Sequence, residues 1–207
     1  STTAFGELLD WVLERASFFD SLSKSADLAP VVIHSLFKFL LQLVTPSYPC
    51  SRVNVPSASH NPTGVFLFQF VAQNLQNVMV GLMASPARQQ LAAGQQVEAV
   101  WPRFLKPLKV LMDIARRCVT GDFCPFGVMQ LYGDGKFDEI VVGVVQLVQC
   151  VPQDVYREYV KLGQSLGAIL RTLTEGQAFT PFASMSVTDI TFVTQYCIKV
   201  VSDTEQK

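Results

Sequence analysis

Residues 136–155 read KFDEIVVGVVQLVQCVPQDV, and this stretch decides the fold class. Its apolar residues recur every third or fourth position, which places them on one face of an α-helix. They are Phe137, Ile140, Val141, Val144, Val145, Val148 and Val151. Pro152 follows at once, so this helix and the next are joined by a tight turn.

The same spacing recurs along the rest of the chain. A second stripe begins at Trp101 and continues to Val119, and strand-like alternation is not sustained anywhere. We therefore predict an all-α chain that forms a single helical segment over residues 1–207. The predicted helices cover 3–19, 27–44, 62–83, 102–120, 136–150, 153–174 and 187–202.

Several helix starts have recognisable capping residues. Asp27 can accept hydrogen bonds from the first-turn amides of its helix, and Asn61-Pro62 combines a cap with a proline at the first helical position. Ser186 and Asp189 have the spacing of a capping box at the start of the last helix. These residues predict where three helices begin.

Prolines, glycines and charges predict the interruptions. The Pro/Ser/Asn-rich stretch 46–61 should be a loop, and the Ala/Gln/Gly-rich stretch 84–96 a connector with at most one weak helical turn. Pro102 should lie at a helix start, and Pro107 should kink the same helix. The charged tail 203–207 is expected to fray.

Two antiparallel helices within residues 134–175 are typical of the unit that HEAT-type solenoids repeat about every 40 residues. The predicted helix starts at Asp27, Pro62 and Val97 are 35 positions apart. A TPR array has a similar period, but its Trp and Gly-Tyr signatures are absent from the sequence. The predicted fold is thus a HEAT-repeat-type α-solenoid fragment of antiparallel helix pairs, in preference to a closed helical bundle.

The composition is unusually apolar. Apolar residues make up 49% of the 207 residues and charged residues 16%, below the roughly one quarter of an average domain. The chain either packs tightly on itself or is a piece of a longer solenoid. The first residue is Ser1 and the helical pattern begins at once, which favours a piece. Such a piece should expose an apolar flank at a chain end.

Charge and cysteine content exclude several functions. The net charge of −1 gives no electrostatic footprint for nucleic acid, and no apolar run reaches the ~18 residues of a membrane span. Neither nucleic-acid binding nor membrane insertion is predicted. The cysteines are odd in number and scattered, which indicates reduced core residues in an intracellular protein. They are Cys50, Cys118, Cys124, Cys150 and Cys197.

The sequence predicts no enzyme, no cofactor and no metal site. His34 lies in an apolar helix and His60 in the Pro-rich loop, and neither has a nucleophile at a useful spacing. Cys118 and Cys124 have no second Cys/His pair to complete a zinc site. The stretch 134–139 resembles a calcium loop only faintly, so a turn followed by a helix cap is predicted.

One polar helix face is a candidate partner-docking strip. Five cations lie opposite the apolar stripe of their helix and are interrupted only by Asp113: Arg103, Lys106, Lys109, Arg116 and Arg117. A solvated outer face is the ordinary interpretation of such a pattern. The functional interpretation is a strip that docks an acidic surface of a partner.

Three sequence strings point to one family. Residues 126–134, FGVMQLYGD, resemble the "FGVxxLYGD" segment of the exportin-seven branch of the importin-β superfamily. Residues 61–68, NPTGVFLF, are similar to its "SPNGxLLF" helix start. Val151-Pro152 with residues 159–165, YVKLGQS, is similar to its "IP…YPKLSQS" stretch. The strings occur in the family's order, so the resemblance covers about residues 28–201.

The resemblance implies a HEAT-repeat nuclear transport receptor rather than an enzyme. Such receptors bind protein cargo together with Ran-GTP, contact nucleoporins, and shuttle between cytoplasm and nucleus. Two stretches, 48–59 and 84–96, look longer than in the family. The chief Ran-binding repeats of the superfamily lie near its N-terminus, so no Ran-contact or cargo-contact residue is carried over to this chain.

Two other functions remain open from the sequence. The chain could belong to an α-solenoid scaffold unrelated to transport, which would differ only in its partners. It could also be a helical domain that binds an apolar small molecule, which would require a closed pocket.

Overall fold

The computed structural model describes residues 4–25, 30–45, 63–94, 97–120, 134–174 and 179–205, and these ranges are mostly helical and contain no strand. One π-helical turn, Trp101–Leu105, precedes α7. The α-helices are α1 (Ala4–Glu14), α2 (Ala16–Lys24), α3 (Pro30–Leu43), α4 (Thr63–Ala84), α5 (Pro86–Ala92), α6 (Val97–Val100), α7 (Lys106–Val119), α8 (Lys136–Gln149), α9 (Gln153–Glu158), α10 (Val160–Thr174), α11 (Phe179–Ser184) and α12 (Val187–Glu205).

The helices form two stacked rows. In the first row α1 and α2 pack against α4, α4 packs against α8, and α8 packs against α11 and α12. In the second row α3 packs against α7, and α7 packs against α10. The rows touch where α2 meets α3 and where α7 meets α4 and α8. This arrangement is a segment of an all-α solenoid, as the sequence predicted.

A continuous apolar core lies between the rows. Its largest fully buried side chains include Phe37 of α3, Phe68 of α4 and Phe137 of α8. The rings of Phe68 and Phe137 lie 5.1 Å apart and join two neighbouring helices of the first row. The predicted stripe of α8 is confirmed, because all its members from Phe137 to Val151 are buried. Full burial of each such side chain stabilises the folded state by about 1.5–3 kcal/mol.

Helix α4 is a long apolar element of 22 residues. By length and mean hydropathy, Val65–Ala84 is the one stretch in the described ranges that could cross a membrane, and 56% of its most apolar window is buried in the fold. The sequence predicted a helix over 62–83, and glutamine and asparagine residues interrupt its apolar run. Its neighbours α2 and α8 cover it as they would a core helix.

The first predicted helix, 3–19, is in fact two helices. The chain leaves helical geometry at Arg15 (φ −107°, ψ 20°), and α2 then continues to Lys24. At this break the Arg15 amide donates to the carbonyl of Val12 at 3.1 Å, one residue nearer than in an α-helix. The Arg15 guanidinium donates to the Trp11 carbonyl at 3.1 Å and caps the end of α1.

The prediction of a largely irregular connector at 84–96 was wrong. Ser85 caps α5, since its hydroxyl accepts from the amide of Ala87 at 3.3 Å, and Pro86 occupies the first turn. Ala87 and Leu91, four residues apart, are both buried. The segment forms a short amphipathic helix, which its glutamine-rich composition did not indicate.

The proline-containing helix also begins earlier than predicted. It starts at Val97 rather than 102, and a π-helical turn directly precedes the turn that carries Pro107, where the kink stays a prediction. The Lys106 amide donates to the carbonyl of Trp101, five residues back. An interior proline cannot donate and clashes with the preceding turn, and the wider turn relieves that conflict.

A second unpredicted break divides helix 153–174 at Tyr159 (φ −98°, ψ 79°). The Tyr159 amide donates to Val155 at 2.9 Å and ends α9, while its carbonyl accepts from Leu162 at 2.8 Å and begins α10. The ring of Tyr159 stacks on Trp101 with centroids 4.6 Å apart. This stack connects α10 to the π-helical turn.

The remaining predictions divide into those observed and those outside the described residues. Gly135 is the N-cap residue of α8, and just before it the Asp134 Oδ1 atom accepts from the Lys136 amide at 3.1 Å, which agrees with the predicted turn before this helix. The tail expected to fray from Asp203 is helical to Glu205, and α11 was not predicted. The caps at Asp27 and Asn61-Pro62 and the loop 46–61 lie outside the described residues.

Candidate partner-docking surface

The five cations of the predicted docking strip lie at the centre of the second row. The π-helical turn holds Arg103 at the surface, and α7 carries Lys106, Lys109, Arg116 and Arg117. Because α7 buries its apolar side against α3, α8 and α10, its polar side forms one narrow outward stripe. The five residues therefore lie on two consecutive helical elements, the π-helical turn and α7.

This stripe is not the fully solvated face that such a charge pattern ordinarily forms. Lys106, Lys109, Arg116 and Arg117 are half-buried, and only Arg103 is exposed. Lys109 Nζ forms an ion pair of 2.7 Å with Asp113. The Lys109 side chain is 27% exposed and the Asp113 side chain 22% exposed. The partial burial follows from the position of α7 between two flanking helices, which the sequence of α7 alone does not reveal.

His34 faces the same stripe from α3. Burial of the ring, and then the positive charges of Lys106, Lys38 and Lys109, lower the pKa of His34 below its usual value. Its Nδ1 atom is buried and has no hydrogen-bond partner in the described part of the chain. His34 is thus a groove histidine beside a cluster of cations, and its surroundings favour the neutral ring.

The cysteines fit a structural role better than a catalytic one. Cys118 is buried, while Cys150 and Cys197 are half-buried, and burial raises the pKa of the Cys197 thiol. Arg88 Nε approaches Cys150 Sγ at 3.2 Å and ties α5 to the end of α8. Within the described ranges no three His, Cys, Asp or Glu residues cluster as metal ligands. Cys50, His60 and Cys124 lie outside those ranges.

One cavity was not anticipated from the sequence. It has a volume of about 340 Å³ and lies where the turn between α8 and α9 meets α12. Its lining mixes apolar, aromatic and amide groups: Val151, Gln153, Tyr156, Phe192, Gln195 and Tyr196. Tyr156 is held in place because its hydroxyl donates to the Val148 carbonyl at 2.9 Å. The residues come from two elements 40 positions apart, so no local pattern predicts the cavity.

Taken together, the fold and the surface define the class of protein. Two stacked rows of helices form an α-solenoid, a class that binds partners through extended faces. No family model matches the chain. No solved structure matches it either.

Curated relatives provide a more specific relationship. The chain is 24% identical to Ran-binding protein 17 of Mus musculus over 177 residues, which are 84% of this chain and 15% of the relative. It is also 24% identical to Exportin-7-B of Xenopus laevis over 177 residues, again 84% of this chain and 15% of the relative. It is 26% identical to Exportin-7 of Dictyostelium discoideum over 152 residues, 73% of this chain and 14% of the relative.

These similarities support an exportin-like relationship without selecting one member of the group. The chain spans only about 15% of the length of the relatives. It therefore corresponds to a small part of proteins that carry the names exportin and Ran-binding protein.

Proposed function

We propose that this chain is a non-catalytic segment of a nuclear transport receptor of the exportin class. The observation that carries the proposal is the similarity over 84% of the chain to proteins named Ran-binding protein 17 and Exportin-7-B. In the proposed function the parent protein binds protein cargo together with Ran-GTP, contacts nucleoporins and shuttles between nucleus and cytoplasm. The helix pairs are proposed to be HEAT repeats.

The two-row architecture supplies a mechanism for coupling two partners. Helix pairs that contact only their neighbours can rotate by small amounts, and the rotations add up to a change in curvature. Two ligands that favour the same curvature then bind cooperatively. In this segment hydrogen bonds join α4 to its neighbours α2 and α8, from Asn77 to Asp20 and from Gln76 to Glu139.

Exposed apolar side chains support a place inside a longer solenoid. At the α1–α3 end, Trp11 is 47%, Phe18 61% and Val31 77% exposed. At the α12 end, Val187 is 82% exposed. Single exposed apolar residues are ordinary, but a group on adjoining helices is typical of a contact surface. We propose that neighbouring helix pairs of the parent protein cover both ends.

The proposal is tested with the full-length protein and immobilised Ran. Ran loaded with a non-hydrolysable GTP analogue should retain the protein, and Ran loaded with GDP should not. Because transport coupling requires discrimination of the nucleotide state, equal retention by both forms would contradict the proposal. Equal retention or none is the result expected of an α-solenoid scaffold unrelated to transport.

The apolar small-molecule alternative has less support. The cavity of about 340 Å³ beside α12 is lined by two glutamines and two tyrosines as well as apolar groups. Ligand pockets that enclose apolar molecules bury most of the ligand surface. Mass spectrometry of the purified protein under native conditions tests this alternative, since a retained apolar ligand would add mass to the folded species.

A further inference from the structure

The two rows of the solenoid carry opposite charge. The helices of the second row, α3, α7 and α10, contain seven lysine and arginine residues and one acid, Asp113. The helices of the first row contain nine acids and three lysines. The net charge of −1 for the whole chain conceals this separation. A segregated charge distribution creates a local field that attracts oppositely charged partners.

The positive charges are concentrated where α3 lies beside α7. Lys106, Lys109, Arg116 and Arg117 project from one side of α7, and Lys38 projects from α3. We call these five residues the basic trough. Helices α3 and α7 pack directly against each other, and the charges of Lys106, Lys38 and Lys109 all act on His34 of α3.

The trough has little internal neutralisation. Asp113 pairs with Lys109 at 2.7 Å, and in the described part of the chain Lys106, Arg116 and Arg117 form no salt bridge. The Nε atom of Arg117 is buried and has no acceptor in that part of the chain. Unpaired cations that are partly desolvated attract an anion more strongly than cations in bulk water do.

The shape of the trough selects the kind of anion. The cations of α7 are half-buried, whereas Lys38 on α3 and Lys161 on α10, the two helices that flank α7, are exposed. The flanking helices hinder the approach of a flat bilayer to the cations of α7. A single narrow chain fits between them, and carboxylates can accept paired hydrogen bonds from arginine. From Lys106 to Arg117 the trough extends about 16 Å, which about five residues of extended peptide would cover.

We propose that the basic trough binds an acidic protein segment, rich in aspartate and glutamate, along the axis of α7. The proposal starts from the predicted docking strip and adds Lys38 of α3 and the chemistry of the partner. The carboxylates of the segment replace water around Lys106, Arg116 and Arg117. Asp113 opposes binding, because it is the one acid on the three helices.

A labelled peptide containing eight glutamates, titrated with the full-length protein and followed by fluorescence anisotropy, tests the proposal. The double variant Lys106→Gln/Arg116→Gln should weaken binding about tenfold or more, since two charge-assisted contacts are lost. The variant Arg15→Gln/Lys136→Gln is the matched control, because it removes the same charge from the first-row side, where both residues are exposed. The control should bind within about twofold of the unmodified protein.

The opposite change guards against a folding artefact. Asp113→Asn should strengthen peptide binding about threefold, because it removes one like charge from the trough. A misfolded variant would not gain affinity. Equal weakening by the test and control variants, or no response to Asp113→Asn, would overturn the proposal.

Two further probes separate the other classes of anion. Phosphatidylserine vesicles and a duplex DNA of 20 base pairs are titrated with the same variants. If either probe binds with the trough-dependent pattern and the peptide does not, the proposed partner is wrong. Nucleotide-dependent retention on Ran is measured for every variant. Intact retention without peptide binding overturns this inference alone, whereas trough-dependent peptide binding without Ran retention overturns the proposed function alone.

Discussion

The side-chain amide of Asn77 on α4 donates a hydrogen bond of 2.8 Å to the carboxylate of Asp20 on α2. The same nitrogen donates to the Ser23 hydroxyl at 2.8 Å, and Gln73 donates to the Asn77 oxygen at 3.2 Å. The hydrogen bond from Lys24, followed by that from Asn77, lowers the pKa of Asp20. A half-buried polar cluster therefore joins α2 to α4 within the first row.

Replacing Asn77 with alanine should destabilise the chain by about 1–3 kcal/mol, because Asp20 and the buried Ser23 lose their shared donor. Urea unfolding followed by circular dichroism measures the loss. Gln76→Ala is the control on the same helix, since Gln76 makes only a solvent-exposed hydrogen bond to Glu139. Equal losses for the two variants would show that the Asn77 cluster contributes no more than an exposed contact.

Two glycines of α10 should respond to alanine in opposite directions. A Cβ atom on Gly163 would lie 2.5 Å from the Tyr156 carbonyl oxygen, whereas a Cβ atom on Gly167 meets nothing within 4 Å. Gly163→Ala should destabilise the chain by about 2 kcal/mol or more, because the backbone contact cannot yield easily. Gly167→Ala should stabilise it by about 0.5–1 kcal/mol through helix propensity.

Thermal unfolding of the two variants measures the difference directly. If Gly163→Ala stabilised the chain, Gly163 of α10 would not lie in close contact with the Tyr156 carbonyl of α9. Both variants carry the same substitution in the same helix, so helix propensity alone would predict the same change in stability for both.

The capping carboxylate of Asp189 should make stability depend on pH. Burial by itself raises its pKa, but hydrogen bonds from Ser186 and then Gln149 outweigh burial, and the pKa of Asp189 is lowered. The folded state therefore gains stability above the unfolded pKa of about 4 and loses it as pH falls through the lower folded pKa. Asp189→Ala should cost about 2 kcal/mol at pH 7.

The cost of Asp189→Ala should shrink as the pH is lowered from 5 towards 2. In the unmodified chain the Asp189 carboxylate becomes protonated over this range, and the stability that its charged form contributes is lost. Urea unfolding at several pH values checks this trend. Asp154→Ala, in the exposed first turn of α9, is the control and should show a small cost at pH 7. A cost for Asp189→Ala that does not change with pH would contradict the proposed linkage.

The apolar end at α1 and α2 should cause self-association of the chain. Phe18 is 61% exposed and Trp11 is 47% exposed, and both rings pack against Phe19. Phe18→Ser should lower the association constant about tenfold, since one large aromatic contact is lost. Sedimentation velocity over a range of concentrations measures it. Val80→Ser, at a position on α4 that is 59% exposed, should leave association unchanged.

Local patterns predicted the parts of the fold that depend on local physics. The stripe of α8 appeared in the sequence because helical periodicity places its apolar groups on one face. The capping box of α12 was also visible: the Ser186 hydroxyl donates to Asp189 at 2.7 Å, and the Asp189 amide donates back to Ser186 at 3.2 Å. Both features need only residues a few positions apart.

The breaks at Arg15 and Tyr159 could not be predicted in this way, because neither glycine nor proline marks them. Tyr159 leaves helical geometry where its ring stacks on Trp101, 58 positions earlier, and where Gly163 lies against the Tyr156 carbonyl. A contact so remote in sequence leaves no local signal. Helix α5 was missed for a related reason, since its short apolar pair becomes informative only when a neighbouring helix covers it.

The sequence by itself determined the helical class of this protein and the cations that α7 displays, because both follow from a period of 3.6 residues. Only the tertiary structure decided that α7 lies between α3 and α10, that its cations are half-buried, and that acidic and basic helices occupy different rows. The physical reason is that helix periodicity orients side chains within one element, whereas burial and charge segregation depend on which distant helices pack together.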